Sequence, residues 1–83
     1  MSDTKEKVRG FITTNFYVAD ASKLTDTTSL LDQGIIDSTG VLELVSFLET
    51  EFGIQVGDME IIPDNLDSIS RIAAYVERKR PAA

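Results

Sequence analysis

The side chain best placed to do chemistry in this sequence is the hydroxyl of Ser38, in the run Ile36-Asp37-Ser38-Thr39-Gly40. That run is half of a nucleophile elbow, because the first glycine of G-x-S-x-G is missing. The chain has no His and no Cys, so no imidazole can take the serine proton and no thiol can replace the hydroxyl. Hydrolase chemistry of the serine or cysteine type is excluded, and so are zinc fingers. Asp32 to Glu43 has the length of a calcium loop. Its third and fifth positions, however, are Gly34 and Ile36, and its sixth is Asp37 where such a loop needs glycine. Neither Gly34 nor Gly40 leads into the Lys-Ser/Thr of a phosphate-cradling loop. No metal site and no catalytic residue are therefore expected. A serine hydroxyl at the start of a helix remains. Read as structure, Asp37 and Ser38 form a cap worth about 1 kcal/mol. Read as function, the hydroxyl bears a phosphate ester, favoured by the helix amides and the positive end of the dipole. The two readings are physically compatible.

The elements that must position this serine can be read from apolar spacing. From about Asp3 to Tyr17, Val8, Phe11, Ile12 and Phe16 recur at helical intervals, which predicts a first amphipathic helix. Ala19 to Thr28 is short, polar and Thr-rich, suited to a long connection. Gly34, flanked by Leu30, Leu31, Ile35 and Ile36, can supply a positive φ in a turn. A second helix starts at Asp37 or Ser38 and stops at Gly53. Its residues Val41, Leu44, Val45, Leu48 and Phe52 fall within about 100° of arc and form a stripe that must be buried. Thr39, Gly40, Glu43, Ser46 and Thr50 lie opposite, with Leu42 and Phe47 at the margins, each expected to be covered by a loop. Asp58 to Ile62 suits one short helical turn ended by Pro63. Asp67 or Ser68 caps a last helix that turns Ile69, Ile72, Ala73 and Val76 inward and places Arg78, Lys79 and Arg80 at its C-terminal end. The fold expected is all-α, a small bundle of three longer helices and one short one. It forms a single domain over 1–83, folded from about 3 to 80, with Pro81-Ala82-Ala83 as a loose tail.

Charge separates the chain into parts. Its 83 residues carry a net charge of −6, but the stretch from Leu24 to Ser70 holds ten carboxylates and no Lys or Arg. The middle is thus −10 and the two ends together +4. Such a field steers partners of opposite sign. It argues against nucleic acid and anionic lipid, which are bound by neutralising phosphates. No apolar run approaches the ~20 residues of a membrane span, and no basic-then-apolar leader is seen. A chain this small buries only about 60% of its unfolded surface, so a deep catalytic cleft is not expected.

Leu31-Asp32-Gln33-Gly34-Ile35-Ile36-Asp37-Ser38, followed by Val41, Glu43, Leu44, Val45, Leu48, Glu49, Glu51 and Phe52, resembles the acyl carrier protein family. The likeness runs over nearly the whole chain and includes the Ala-Ala-Tyr-Val segment of the last helix. It implies that Ser38 accepts 4′-phosphopantetheine from coenzyme A through a separate phosphopantetheinyl transferase, and that Asp37 is part of the transferase recognition site. It also implies that basic patches of partner enzymes dock on the second helix at Thr39, Leu42, Glu43, Ser46, Glu49 and Thr50. Those partners would be an acyl- or aminoacyl-activating ligase and downstream acyl-transfer enzymes, acting on a cytoplasmic monomer. Fatty-acid carriers commonly follow the serine with Leu and an acid, where this chain has Thr39-Gly40. Ser46 stands where they have a Met, and Thr50 where they have an acid. The segment is closer to stand-alone carriers loaded with amino acids, such as D-alanyl carriers. The competing reading is an acidic helical adaptor without a prosthetic group, in which Ser38 is only a cap.

Overall fold

The computed structural model describes residues 3–16, 18, 22 and 24–80. Among them are four α-helices and no strand: α1 (Asp3–Asn15), α2 (Ser38–Phe52), α3 (Pro63–Leu66) and α4 (Ile69–Lys79), with a 3-10 turn at Asp58–Glu60 before α3. Three longer helices and one short one match the sequence expectation. The expected tail at 81–83 and, within the expected Ala19 to Thr28 connection, residues 19–21 and 23 lie outside the described residues.

Each helix forms where apolar spacing, caps and stops agree. In α1, Thr4, Val8 and Ile12 fall one turn apart and are buried. The side chain of Asn15 donates back to the Phe11 carbonyl at 2.9 Å, adding a side-chain bond to the last turn. In α4, Ser68 accepts from the Arg71 amide at 3.1 Å and Ile69, Ile72, Ala73, Tyr75 and Val76 turn inward. Gly53 ends α2 in the left-handed region at φ 66°, its amide bonded to the Glu49 carbonyl at 3.0 Å.

Two local expectations need correction and a third is narrowed. Pro63 opens a helix instead of only ending a turn: it sits in the first turn of α3, where its missing N–H costs nothing and its fixed φ suits a helix. Of the two cap candidates for α4, Asp67 and Ser68, it is Ser68 that takes the role. Gly40 is not on the polar face of α2. It lies in line with Leu44 and Leu48 at intervals of four, and all three are buried.

Contacts at the helix ends fix their directions. The Thr4 hydroxyl at the start of α1 donates to Glu77 near the end of α4 at 2.7 Å. Lys7 pairs with Glu51 near the end of α2 at 3.1 Å. Phe16, just past α1, reaches Gly40 at the start of α2. Helix α1 is therefore antiparallel to both α2 and α4. One cluster of buried residues fills the space between, with Val8, Ile12, Leu44, Leu48, Ile69, Ile72 and Val76 from the long helices and Leu24, Leu30, Ile36, Ile54 and Leu66 from the rest. Burying each such side chain stabilises the fold by roughly 1.5–3 kcal/mol.

The connection into α2 is held from both flanks. Arg9 donates to the Leu24 carbonyl and, at 2.8 Å, to Asp26, whose other oxygen meets Lys5 at 3.4 Å. The Arg9 hydrogen bond chiefly holds the Asp26 carboxyl below its usual range. The Asp26 carbonyl in turn accepts from the Ser70 amide at 2.8 Å. Asp67 takes the Ser29 hydroxyl at 2.7 Å and the Leu31 amide at 3.0 Å, while its carbonyl takes the Leu30 amide at 2.7 Å. Gly34 then turns the chain at φ 70°, as its sequence context predicts. Leu30 and Ile36 enter the core, and the chain arrives at Asp37 in extended geometry.

Candidate functional site

Asp37 has φ −110° and ψ −172°, and its side chain accepts from the Gly40 amide at 2.8 Å, so Asp37 alone caps α2. Its carbonyl takes the Val41 amide at 2.9 Å. Ser38 is therefore the first helical residue and not the cap. Its side chain is exposed and its hydroxyl has no hydrogen-bond partner among the described residues. The amides of Ser38 and Thr39 are the donors that a helix start leaves unpaired, and the positive end of the α2 dipole lies there. An exposed hydroxyl at this place can be esterified without disturbing a structural bond, and an anion on it meets favourable charge.

Beside Ser38 opens a groove of about 260 Å³. It is lined by Val41 and Leu42 of α2, by Leu31 from the preceding loop, and by Ile61, Ile62, Pro63 and Leu66 in and before α3. Leu42 is 64% exposed, so the loop cover expected for it does not exist. Phe47 is covered, but by Phe11 of α1 and not by a loop: the two rings stack at 4.2 Å with planes 14° apart.

The α3 wall is anchored to α4 by Glu60. One carboxylate oxygen accepts from the Tyr75 hydroxyl at 2.9 Å, from Lys79 at 2.9 Å and from the Gly57 amide at 3.0 Å. These donors, Lys79 foremost, pull the Glu60 carboxyl down to about 2. Burial, and then donation to Glu60, push the Tyr75 phenol up to about 12. Asn65 donates to the Glu60 carbonyl and accepts from Arg78, both at 2.9 Å. Ile61 and Ile62 are thus set by their neighbours on either side.

All six docking candidates on α2 (Thr39, Leu42, Glu43, Ser46, Glu49 and Thr50) are exposed, and their spacing puts them on one face with Ser38. The acids beside them differ in what they already do. Glu49 accepts from the Val56 amide at 2.9 Å, and Glu51 is paired with Lys7. Among the described residues, Glu43, Asp32 and Asp58 have no ion pair. The spacing of Leu31, Ile61, Ile62 and Leu66 gives no sign that they join the site, because they come from three separate segments. Pro63 in a first-turn position was the one local signal for α3.

The residues present fit a phosphate-linked arm: a free hydroxyl, unpaired amides and an apolar wall. The model of the phosphopantetheine attachment site family matches residues 6–76. The chain is 31% identical over 74 residues to the probable acyl carrier protein PigG of a Serratia strain, covering 89% of this chain and 85% of that protein. It is 32% identical over 73 residues to the acyl carrier protein of Thermotoga maritima, covering 88% and 86%. The fold and the matches together place this chain in the acyl carrier protein family, the carriers that hold a covalent 4′-phosphopantetheine. No helix among the described residues is long and apolar enough to cross a membrane.

Proposed function

We propose that Ser38 is the residue that holds the arm, and that the chain is a non-catalytic acyl or aminoacyl carrier working as one domain. One observation supports this above the others. Asp37 satisfies the helix cap by itself, which leaves the neighbouring hydroxyl exposed and without a hydrogen-bond partner among the described residues. In the adaptor reading Ser38 exists to cap α2, and it does not cap it. When bound, the arm supplies a terminal thiol that carries cargo as a thioester. The chain's own residues do the rest. Asp37 fixes the start of α2 and presents a carboxylate to the phosphopantetheinyl transferase. Glu43 and Asp32, which have no ion pair among the described residues, offer charge to basic surfaces of the transferase, of an activating ligase and of downstream acyl-transfer enzymes. The exposed Leu42 and Ile62 add apolar contact between these charges. Docking of this kind is fast and salt-sensitive, which suits a shuttle that must leave each partner. Holding cargo on a tether raises its effective concentration at each enzyme without any bond-making group from the carrier. Thr39-Gly40 after the serine favours an amino acid as cargo, loaded in the cytoplasm where coenzyme A is at hand.

The test is an intact mass after incubation with coenzyme A and a broad-specificity phosphopantetheinyl transferase. A gain of one phosphopantetheine, abolished in Ser38→Ala, is expected. No gain with several transferases favours the adaptor.

A further inference from the structure

Gly40 is buried, although Ser38, Thr39, Leu42 and Glu43 around it are exposed. A Cβ built on Gly40 would lie 2.7 Å from Cε1 of Phe16, and 3.4 Å from both the Asp37 carboxylate and Cγ2 of Ile36. The first distance is below any contact that real Cβ atoms make. The ring of Phe16 thus lies over the bare Cα of the third residue of α2, two places after the serine that bears the arm. Phe16 is itself braced. Its ring meets Phe11 edge to face at 5.7 Å, and Phe11 stacks on Phe47 of α2. Phe47 meets Phe52 at 5.9 Å. A row of four rings therefore runs along the α1–α2 seam and ends on Gly40.

We propose that Phe16 is a positioning residue for the loading of Ser38, and that residues 16 and 40 form a size-matched pair. The ring sets where the start of α2 stands, and in doing so it requires glycine two places after the serine. This account rests on Ser38 being the attachment residue. It explains the glycine at position 40: a Cβ there would clash with the Phe16 ring while only touching Asp37 and Ile36. The Asp37 cap is not itself at stake, because it uses the amide of residue 40, which every residue but proline retains.

The experiment measures loading by a phosphopantetheinyl transferase across carrier concentrations, giving kcat and KM for the full chain, with thermal melting alongside. Gly40→Ala should lower kcat/KM about tenfold, chiefly through KM, because overpacking displaces the recognised helix start. Phe16→Leu shortens the ring side and should by itself cost about threefold, while Phe16→Leu with Gly40→Ala should return to within about threefold of the natural chain. The assay is run well below every melting point, so a lowered melting temperature alone does not move KM. Natural chain that fails to load refutes Ser38 as the attachment residue and the proposal with it. Natural chain that loads while Gly40→Ala loads equally well overturns the proposal alone. So does a double variant no better than Gly40→Ala, whether that single variant is folded or not.

Discussion

Helices α2 and α4 are similar in sequence character and opposite in use. Both are amphipathic and both have a side-chain cap, Asp37 for one and Ser68 for the other. On α4 the large apolar side chains are all buried, and every cation has a partner: Arg71 with Asp64, Arg78 with Asn65, Lys79 with Glu60 and Arg80 with Glu77. On α2 the inner line of Gly40, Leu44 and Leu48 is as well buried, but the outer face keeps Leu42 bare and Glu43 unpaired among the described residues. An unpaired acid and an exposed Leu contribute nothing to this fold. Their presence on the helix that begins with Ser38, and not on α4, separates the face we propose meets partners from the one that holds the molecule together.

The sharpest way to break that comparison is to shorten one apolar residue on each helix. Ile72→Ala on α4 should cost about 3 kcal/mol in denaturant unfolding, and Leu42→Ala on α2 less than about 0.5 kcal/mol. Similar costs would mean that α2 is as structural as α4. Asp67→Ala removes the acceptor of the Ser29 hydroxyl and the Leu31 amide, and should cost about 1–2 kcal/mol with faster hydrogen exchange at Leu31. A smaller effect depends on pH. Glu60 titrates at about 2 in the fold against an ordinary 4.5, so its contribution is full above 4.5 and is lost as pH falls toward 2. Glu60→Gln lacks this titration. The melting temperature of the natural chain should exceed that of Glu60→Gln near neutrality, and the gap should close over that acid window. Glu43→Lys should leave stability within about 0.5 kcal/mol yet weaken loading, by about tenfold in dilute buffer and about twofold at high salt. Equal loss at both ionic strengths would remove the electrostatic role of α2.

The features legible in the sequence are those set by local rules. Helical spacing located α1, α2 and α4, and glycine chemistry located the turns at Gly34 and Gly53. The Asp37-Ser38 pair marked the start of α2, although which of the two did the capping required the geometry. Long-range contacts were not legible. Gly40 reads as polar-face filler until Phe16, from 24 positions earlier, is seen resting on it. Asp67 reads as a cap until Ser29 and Leu31 are found on its carboxylate. Glu49 reads as a docking charge equal to Glu43, but the fold has already engaged it with the Val56 amide. In each case residues distant in sequence compete for a group whose local role looked settled.

The hydroxyl left free by the Asp37 cap is the one we propose bears the arm. Fragment-ion mapping of the transferase-loaded chain tests it most directly, since Ser29, Ser38, Thr39 and Ser46 all lie within the acidic middle. The account predicts one phosphopantetheine, placed on Ser38 alone. A modification on any other hydroxyl, or an equal distribution among them, would contradict it.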